Sequence, residues 1–154
     1  MADKSFSNEL ERSLARSDAE KLVRQIDVYI AYNESGAGDW PDEISDDLGE
    51  VLDADSRDLD KALAYVIIAL SRTNDPDFIS FMAASVLENA LETTDPAFLD
   101  RVVVEAGKNR RFQWMLSVPY RVAISKPAWE AIKAFRITGE HEEPSFETFP
   151  GPQP

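Results

Sequence analysis

The sequence from residue 55 to residue 70 reads DSRDLDKALAYVIIAL. Its large apolar side chains recur every three or four residues, which places them on one face of an α-helix, and Asp55 or Ser56 can cap its start. The positions of this stripe are Leu59, Leu63, Val66, Ile67 and Leu70. Because the segment 62–70 is apolar on nearly every side, we expect this helix to lie at the centre of a helical domain.

Two Asp-Pro steps predict the helices that follow. Asp75-Pro76 and Asp95-Pro96 each combine a capping carboxylate with a proline suited to the first helical position. Further start signals precede apolar runs of helical spacing at Ser17, Pro41, Asn109 and Pro127. The sequence therefore predicts an all-α fold, with residues 1–139 forming a single-domain antiparallel bundle or array of about six to seven helices.

The motif Asp-Pro-x-Phe occurs at residues 75–78 and again at 95–98, twenty residues later. This spacing is similar to that of helical-repeat solenoids, so HEAT-like packing is one alternative. Ordinary helix capping produces the same pattern, and with only two copies we favour capping over a true repeat.

The C-terminal residues 140–154 contain four prolines among acidic residues. This composition predicts a disordered, flexible acidic tail. Phe146 and Phe149 are the side chains that could pin the tail to the domain.

The composition excludes several classes of protein. The 154 residues include no Cys, one His and six Gly, so thiol catalysis, zinc fingers and a glycine-rich phosphate loop are excluded or disfavoured. His141 lies in the predicted tail, where a catalytic base would lack fixed geometry. A calcium loop beginning at Asp53 fails because Arg57 occupies a ligand position. We therefore expect no enzymatic activity, no cofactor and no metal site.

The N-terminus lacks the apolar stretch of a signal peptide, and no apolar run reaches 18 residues. We therefore expect a cytoplasmic protein that does not associate with a membrane.

Charge is strongly segregated along the chain. Residues 34–60, here called the acidic segment, contain eleven acids and one base, a net charge of −10 out of −13 for the whole chain. The negative electrostatic field of this segment favours association with a basic partner. The equal alternative is that the acids form only a solvated face with no binding role. The predicted partner-binding residues lie on and before a helix over 41–53, and they are Asp39, Trp40, Asp42, Glu43, Asp46, Asp47 and Glu50. Trp40 is either an interface anchor or a side chain that closes the core.

Residues 101–136, here called the basic segment, contain eight Lys or Arg residues and two acids, with aromatic residues between them. This pattern is compatible with a stacking surface for single-stranded nucleic acid. A net charge of −13 opposes phosphate at long range, so we expect the aromatic residues to belong to the core and no nucleic acid to bind.

Glu88 is the one acid within an otherwise apolar helix over 76–92. A structural ion pair is the usual reason for such a residue, and we expect Glu88 to pair with Arg101, with Arg110 and Arg111 as alternatives. The less favoured hypothesis is that Glu88 acts as a general acid.

From Asp55 onward the chain resembles a bacterial all-helical domain family of unknown function, over residues 55–118. The resemblance rests on the helix over 55–70, Leu87-Glu88, Phe98-Leu99-Asp100-Arg101, and Arg111-Phe112 through Leu116-Ser117-Val118. The family often has Gly-Pro before Leu-Glu, where this chain has Ser85-Val86. The resemblance implies no catalytic residues.

Small acidic helical proteins of this kind look like immunity proteins, which bind and neutralise a cognate bacterial toxin. We therefore expect a protein-binding protein whose partner is a basic toxin. The alternative is a chaperone or adaptor for a secreted effector, and an enzyme of unknown type is the least favoured hypothesis.

Overall fold

The computed structural model describes residues 8–35, 50–51 and 58–151. Within these ranges lie seven complete α-helices and three short 3₁₀ turns, Arg121–Ala123, Lys133–Phe135 and Phe146–Thr148, and no strand, so the predicted all-α fold is confirmed. Six of them are α1 (Glu9–Leu14), α2 (Ala19–Ser35), α3 (Leu59–Arg72), α5 (Pro96–Ala106), α6 (Arg110–Leu116) and α7 (Lys126–Ile132). The seventh, α4, runs from Pro76–Met82 through a π-helical turn, Ala83–Leu87, into Glu88–Ala90.

Helix α3 is the centre of the core, as its sequence predicts. Its nine consecutive residues from 62 to 70 are all buried, and it packs against α1, α2, α4 and α6. Asp58 caps the helix by accepting a hydrogen bond from the backbone N–H of Lys61 at 3.1 Å. The proposed caps Asp55 and Ser56 lie outside the described residues.

The turns before α4 and α5 are built in the same way. Asp75 accepts from the N–H of Asp77, and Asp95 accepts from the N–H of Ala97, so both predicted caps are confirmed. In each turn a threonine two residues earlier accepts from the N–H of the capping aspartate at 3.1 Å. These shared bonds are those of ordinary capping, and HEAT-like packing of the helices stays a prediction.

The described part of the tail packs against the domain rather than extending away from it. The ring of Phe149 lies 5.0 Å from that of Trp114, edge to face, and the ring of Phe146 lies 6.4 Å from it. The indole N–H of Trp114 donates to Thr148 Oγ1 at 2.9 Å. Through residue 151 the tail therefore contacts the domain through Phe146 and Phe149, as anticipated, and the flexibility of residues 140–154 stays a prediction.

Within the described ranges, every helix is too short or too polar to cross a membrane.

Candidate partner-binding surface

Most of the predicted partner-binding residues lie in the part of the acidic segment that the structure does not describe. Six of the seven lie outside the described residues, and they are Asp39, Trp40, Asp42, Glu43, Asp46 and Asp47. The seventh, Glu50, is described and has helical backbone, which agrees with the helix predicted over 41–53.

Glu50, within the acidic segment, bonds to side chains of the two helices that precede and follow it in the chain, α2 and α3. Its carboxylate lies 3.0 Å from Lys21 Nζ on α2 and 2.8 Å from Lys61 Nζ on α3. Gln25 Nε2 donates a third bond at 3.2 Å, and the next residue, Val51, is completely buried. These bonds, that from Lys61 first, lower the pKa of Glu50 to about 2. Glu50 therefore serves as an internal anchor rather than as a free charge for a partner.

Replacing Glu50 by Gln is expected to remove a pH-dependent part of the stability. A carboxylate whose pKa is depressed in the folded state contributes stability above its unfolded pKa, and this contribution is lost as the pH falls towards about 2. Because Glu50 and both lysines are partly exposed, we expect E50Q to cost about 1 kcal/mol near neutral pH. Urea unfolding at several pH values measures this, and the difference from the wild type should vanish as the pH falls from about 5 to about 2.

The control for this experiment is the variant E20Q. It replaces an exposed glutamate on the same helix as Lys21. A difference between E50Q and wild type that does not change with pH would contradict the assignment of Glu50 as an anchor.

An apolar groove lies on the outer side of α2, the helix that leads into the acidic segment. Its volume is about 630 Å³, and Leu14, which is 51% exposed, stands at its edge. Its other lining residues are Ala19, Glu20, Val23, Arg24, Asp27, Val28 and Ala31. We call this feature the α2 groove. Sequence analysis missed it because periodicity identifies the inward stripe of α2 and says nothing of its outer face.

Arg101 does not pair with Glu88, so the predicted structural ion pair is wrong. Arg101 Nη2 lies 2.8 Å from Glu9 on α1 and 2.9 Å from Asp60 on α3. Asp60 also pairs with Arg16, which in turn bonds Asp18. This chain of charges ties the N-terminal helix to the central one. The sequence concealed it because Glu9 is 92 residues away and belongs to a helix of only six residues.

The alternative partners of Glu88 are used elsewhere or face solvent. Arg111 donates to backbone carbonyls and to Asn74, and Arg110 is exposed. Burial raises the pKa of Glu88, the nearby Glu92 and Glu143 raise it further, and a hydrogen bond from the Tyr120 backbone opposes this. Glu88 is therefore a half-buried carboxylate among other carboxylates.

A double-mutant cycle separates the two pairings of Arg101. Because Glu9 and Arg101 form two hydrogen bonds in a partly buried place, E9Q and R101M should show a coupling energy of about 1 to 2 kcal/mol. The same cycle with E88Q in place of E9Q should give less than about 0.3 kcal/mol. Unfolding free energies in urea supply both values, and a larger coupling for Glu88 would restore the original pairing.

Three aromatic residues of the basic segment, Phe112, Trp114 and Trp129, are buried, as expected. The guanidinium groups of Arg121 and Arg136 lie 5.5 Å and 5.3 Å from the ring centroid of Trp129. Arg136 also donates to the carbonyls of residues 116, 119 and 139. Nucleobases therefore cannot stack on these three aromatic rings without opening the core. The absence of nucleic acid binding itself stays a prediction.

No cluster of three or more His, Asp or Glu residues suited to a metal ion occurs in the part of the chain that the structure describes. His141 packs edge to face against the ring of Tyr120, with 5.6 Å between the ring centroids.

A family model described as Family of unknown function (DUF6869) matches residues 40–139. The match covers more than half of the chain, from within the acidic segment to the residues just after α7, and it excludes α1 and α2. No curated protein and no solved structure matches the chain. The match is longer at both ends than the resemblance over residues 55–118, and this chain belongs to the family of unknown function DUF6869.

Proposed function

We propose that this chain is a non-enzymatic, cytoplasmic protein of the immunity type, which binds and neutralises a basic toxin. The observation that carries the proposal is the segregation of charge, with −10 of the net −13 in residues 34–60. A field of this strength steers a basic protein towards one side of the molecule and raises the association rate.

The described helices beside this segment support an interface there. Within the acidic segment, Glu50 forms ion pairs with Lys21 on α2 and with Lys61 on α3. The α2 groove offers apolar surface on the first of these helices. Tight protein interfaces combine charged residues, which steer the partner, with apolar surface, which anchors it.

An adaptor for a secreted effector is the second candidate, and the α2 groove is the observation that favours it. A groove along one helix suits an apolar side of an amphipathic segment. Co-expression with the product of the adjacent gene distinguishes the two functions. Rescue from a toxic gene product supports the immunity function, whereas increased secretion or solubility of a non-toxic product supports the adaptor.

We predict that four acids before Glu50 raise the rate at which a basic partner associates. Replacing Asp42, Glu43, Asp46 and Asp47 by Asn or Gln should slow association with the product of the adjacent gene about ten-fold at low salt, with little change in dissociation. Surface plasmon resonance over a range of salt concentrations measures both rates, and the difference should shrink as salt screens the field.

The matched control removes the same amount of charge from exposed positions elsewhere. These positions are Asp77, Glu92, Asp100 and Glu147. If the control slows association as much as the test variant does, only net charge matters and the acidic segment is not the binding face.

A further inference from the structure

A second feature, separate from the proposed interface, is a cavity between α1, the end of α3 and the turn from α5 to α6. Its volume is about 430 Å³. Three apolar side chains form part of its wall, and they are Leu10, Ile67 and Leu70. Two buried charges also line it, Glu105 and Arg111, which are 3% and 7% exposed.

Arg111 is a buried cation without a counter-ion in the described part of the chain. Its Nε donates to the carbonyl of Pro150 at 3.0 Å, and its Nη1 donates to the carbonyls of Leu70 and Thr73 at 3.1 and 2.9 Å. Its Nη2 donates to Asn74 Oδ1 at 2.7 Å, which leaves one N–H of that nitrogen available. Burial lowers the pKa of Arg111, as expected where no carboxylate offsets the loss of water.

Glu105 is a buried anion that likewise has no basic partner among the described residues. One oxygen accepts from the backbone N–H of Glu9 at 3.0 Å, and the other accepts from Asn109 Nδ2 at 2.8 Å. A carboxylate offers about four acceptor sites, so roughly half of its capacity remains.

Glu105 and Arg111 thus border one cavity without forming an ion pair with each other, although a buried charge that has only neutral hydrogen-bond partners is costly. Lys108 also lines the cavity and adds a second cation. A ligand with both an ammonium group and a carboxylate would give each buried charge a counter-ion, and the apolar wall would hold an apolar side chain.

We propose that this cavity binds a small zwitterion, an apolar α-amino acid, whose carboxylate lies at Arg111 and Lys108 and whose ammonium group lies at Glu105. None of the described residues that line this cavity belongs to the acidic segment or to the α2 groove.

The decisive experiment uses the full chain and ligands that differ by one charge. Leucine, phenylalanine and methionine are titrated into the protein, with binding followed by calorimetry and by amide shifts in NMR spectra. We expect saturable binding of at least one of them, with shifts at residues that line the cavity. N-acetylleucine lacks the positive charge and leucinamide lacks the negative one, and each should bind at least ten-fold more weakly than leucine.

Two variants test the assigned residues without removing Arg111, which also supports the fold. E105Q should weaken amino-acid binding and abolish the preference for leucine over N-acetylleucine. K108M should reduce the preference for leucine over leucinamide. The control E92Q changes an exposed glutamate outside the cavity and should bind like the wild type.

Two results would overturn the proposal. Absence of saturable binding for all three amino acids would mean that the cavity holds only water. Equal affinity for leucine and both analogues would mean that the buried charges do not contact the ligand. Both results come from the wild-type protein, so they decide the question even if a variant fails to fold.

Discussion

Replacing Trp114 by Ala is expected to lower the free energy of unfolding by about 4 kcal/mol, the largest effect predicted for any single change in this protein. The side chain is 1% exposed and is among the largest fully buried ones. Its removal leaves a cavity where α6 meets the tail. It also removes the ring contacts to Phe146 and Phe149 and the hydrogen bond to Thr148.

Trp114→Phe separates the cavity from the hydrogen bond. It keeps most of the apolar volume but leaves Thr148 without the indole donor, so we expect a loss of about 1 to 2 kcal/mol. Urea unfolding followed by circular dichroism measures both variants without relying on tryptophan fluorescence. Limited proteolysis should cut residues 140–151 faster in W114A. A loss below about 1 kcal/mol for W114A would show that the tail does not pack on this side chain.

Replacing Arg111 by Met should cost about 3 kcal/mol, because methionine keeps the apolar stem but removes every donor. Three backbone carbonyls, those of Leu70, Thr73 and Pro150, lose a hydrogen-bond partner at once. Two of these carbonyls lie where α3 ends and the turn to α4 begins, and the third lies in the tail. The guanidinium also lies 4.6 Å from the ring centroid of Phe149.

The matched control for Arg111 is the residue beside it. Arg110 is exposed, and its replacement by Met should change stability by no more than about 0.5 kcal/mol. Both variants remove one positive charge, so the difference between them reports the hydrogen bonds rather than the net charge. Equal effects of the two substitutions would contradict the role assigned to Arg111.

Features that depend on neighbouring residues could be predicted from the sequence. The caps Asp75, Asp95 and Asn109 each bond an N–H two or three residues away, so their function is fixed within one turn of chain. The burial of the segment 62–70 was also predictable, because a helix that is apolar all round has no side for water.

Features that depend on distant residues could not be predicted. Nothing near Arg101 in the sequence points to Glu9, and the six-residue helix that contains Glu9 has too little periodicity to identify its buried side. The packing of the tail against the domain includes a hydrogen bond between Trp114 and Thr148, which are 34 residues apart. The charged residues around the proposed amino-acid cavity also come from separate helices. Composition gives the number of charged residues in the chain but not which of them lie close together.

The π-helical turn in α4 has a consequence for the evolution of the family. The buried residues of α4 form two rows spaced by four, and an ideal α-helix would rotate such a row by about 40° at each step. A π-helical turn contains more residues per turn, so it brings both rows back towards the core. Such a turn amounts to a one-residue insertion in a helix. We therefore expect alignments of family members to place single-residue gaps at 83–87. A family member without the extra residue would need a different spacing of apolar residues in the part of the helix that follows this turn.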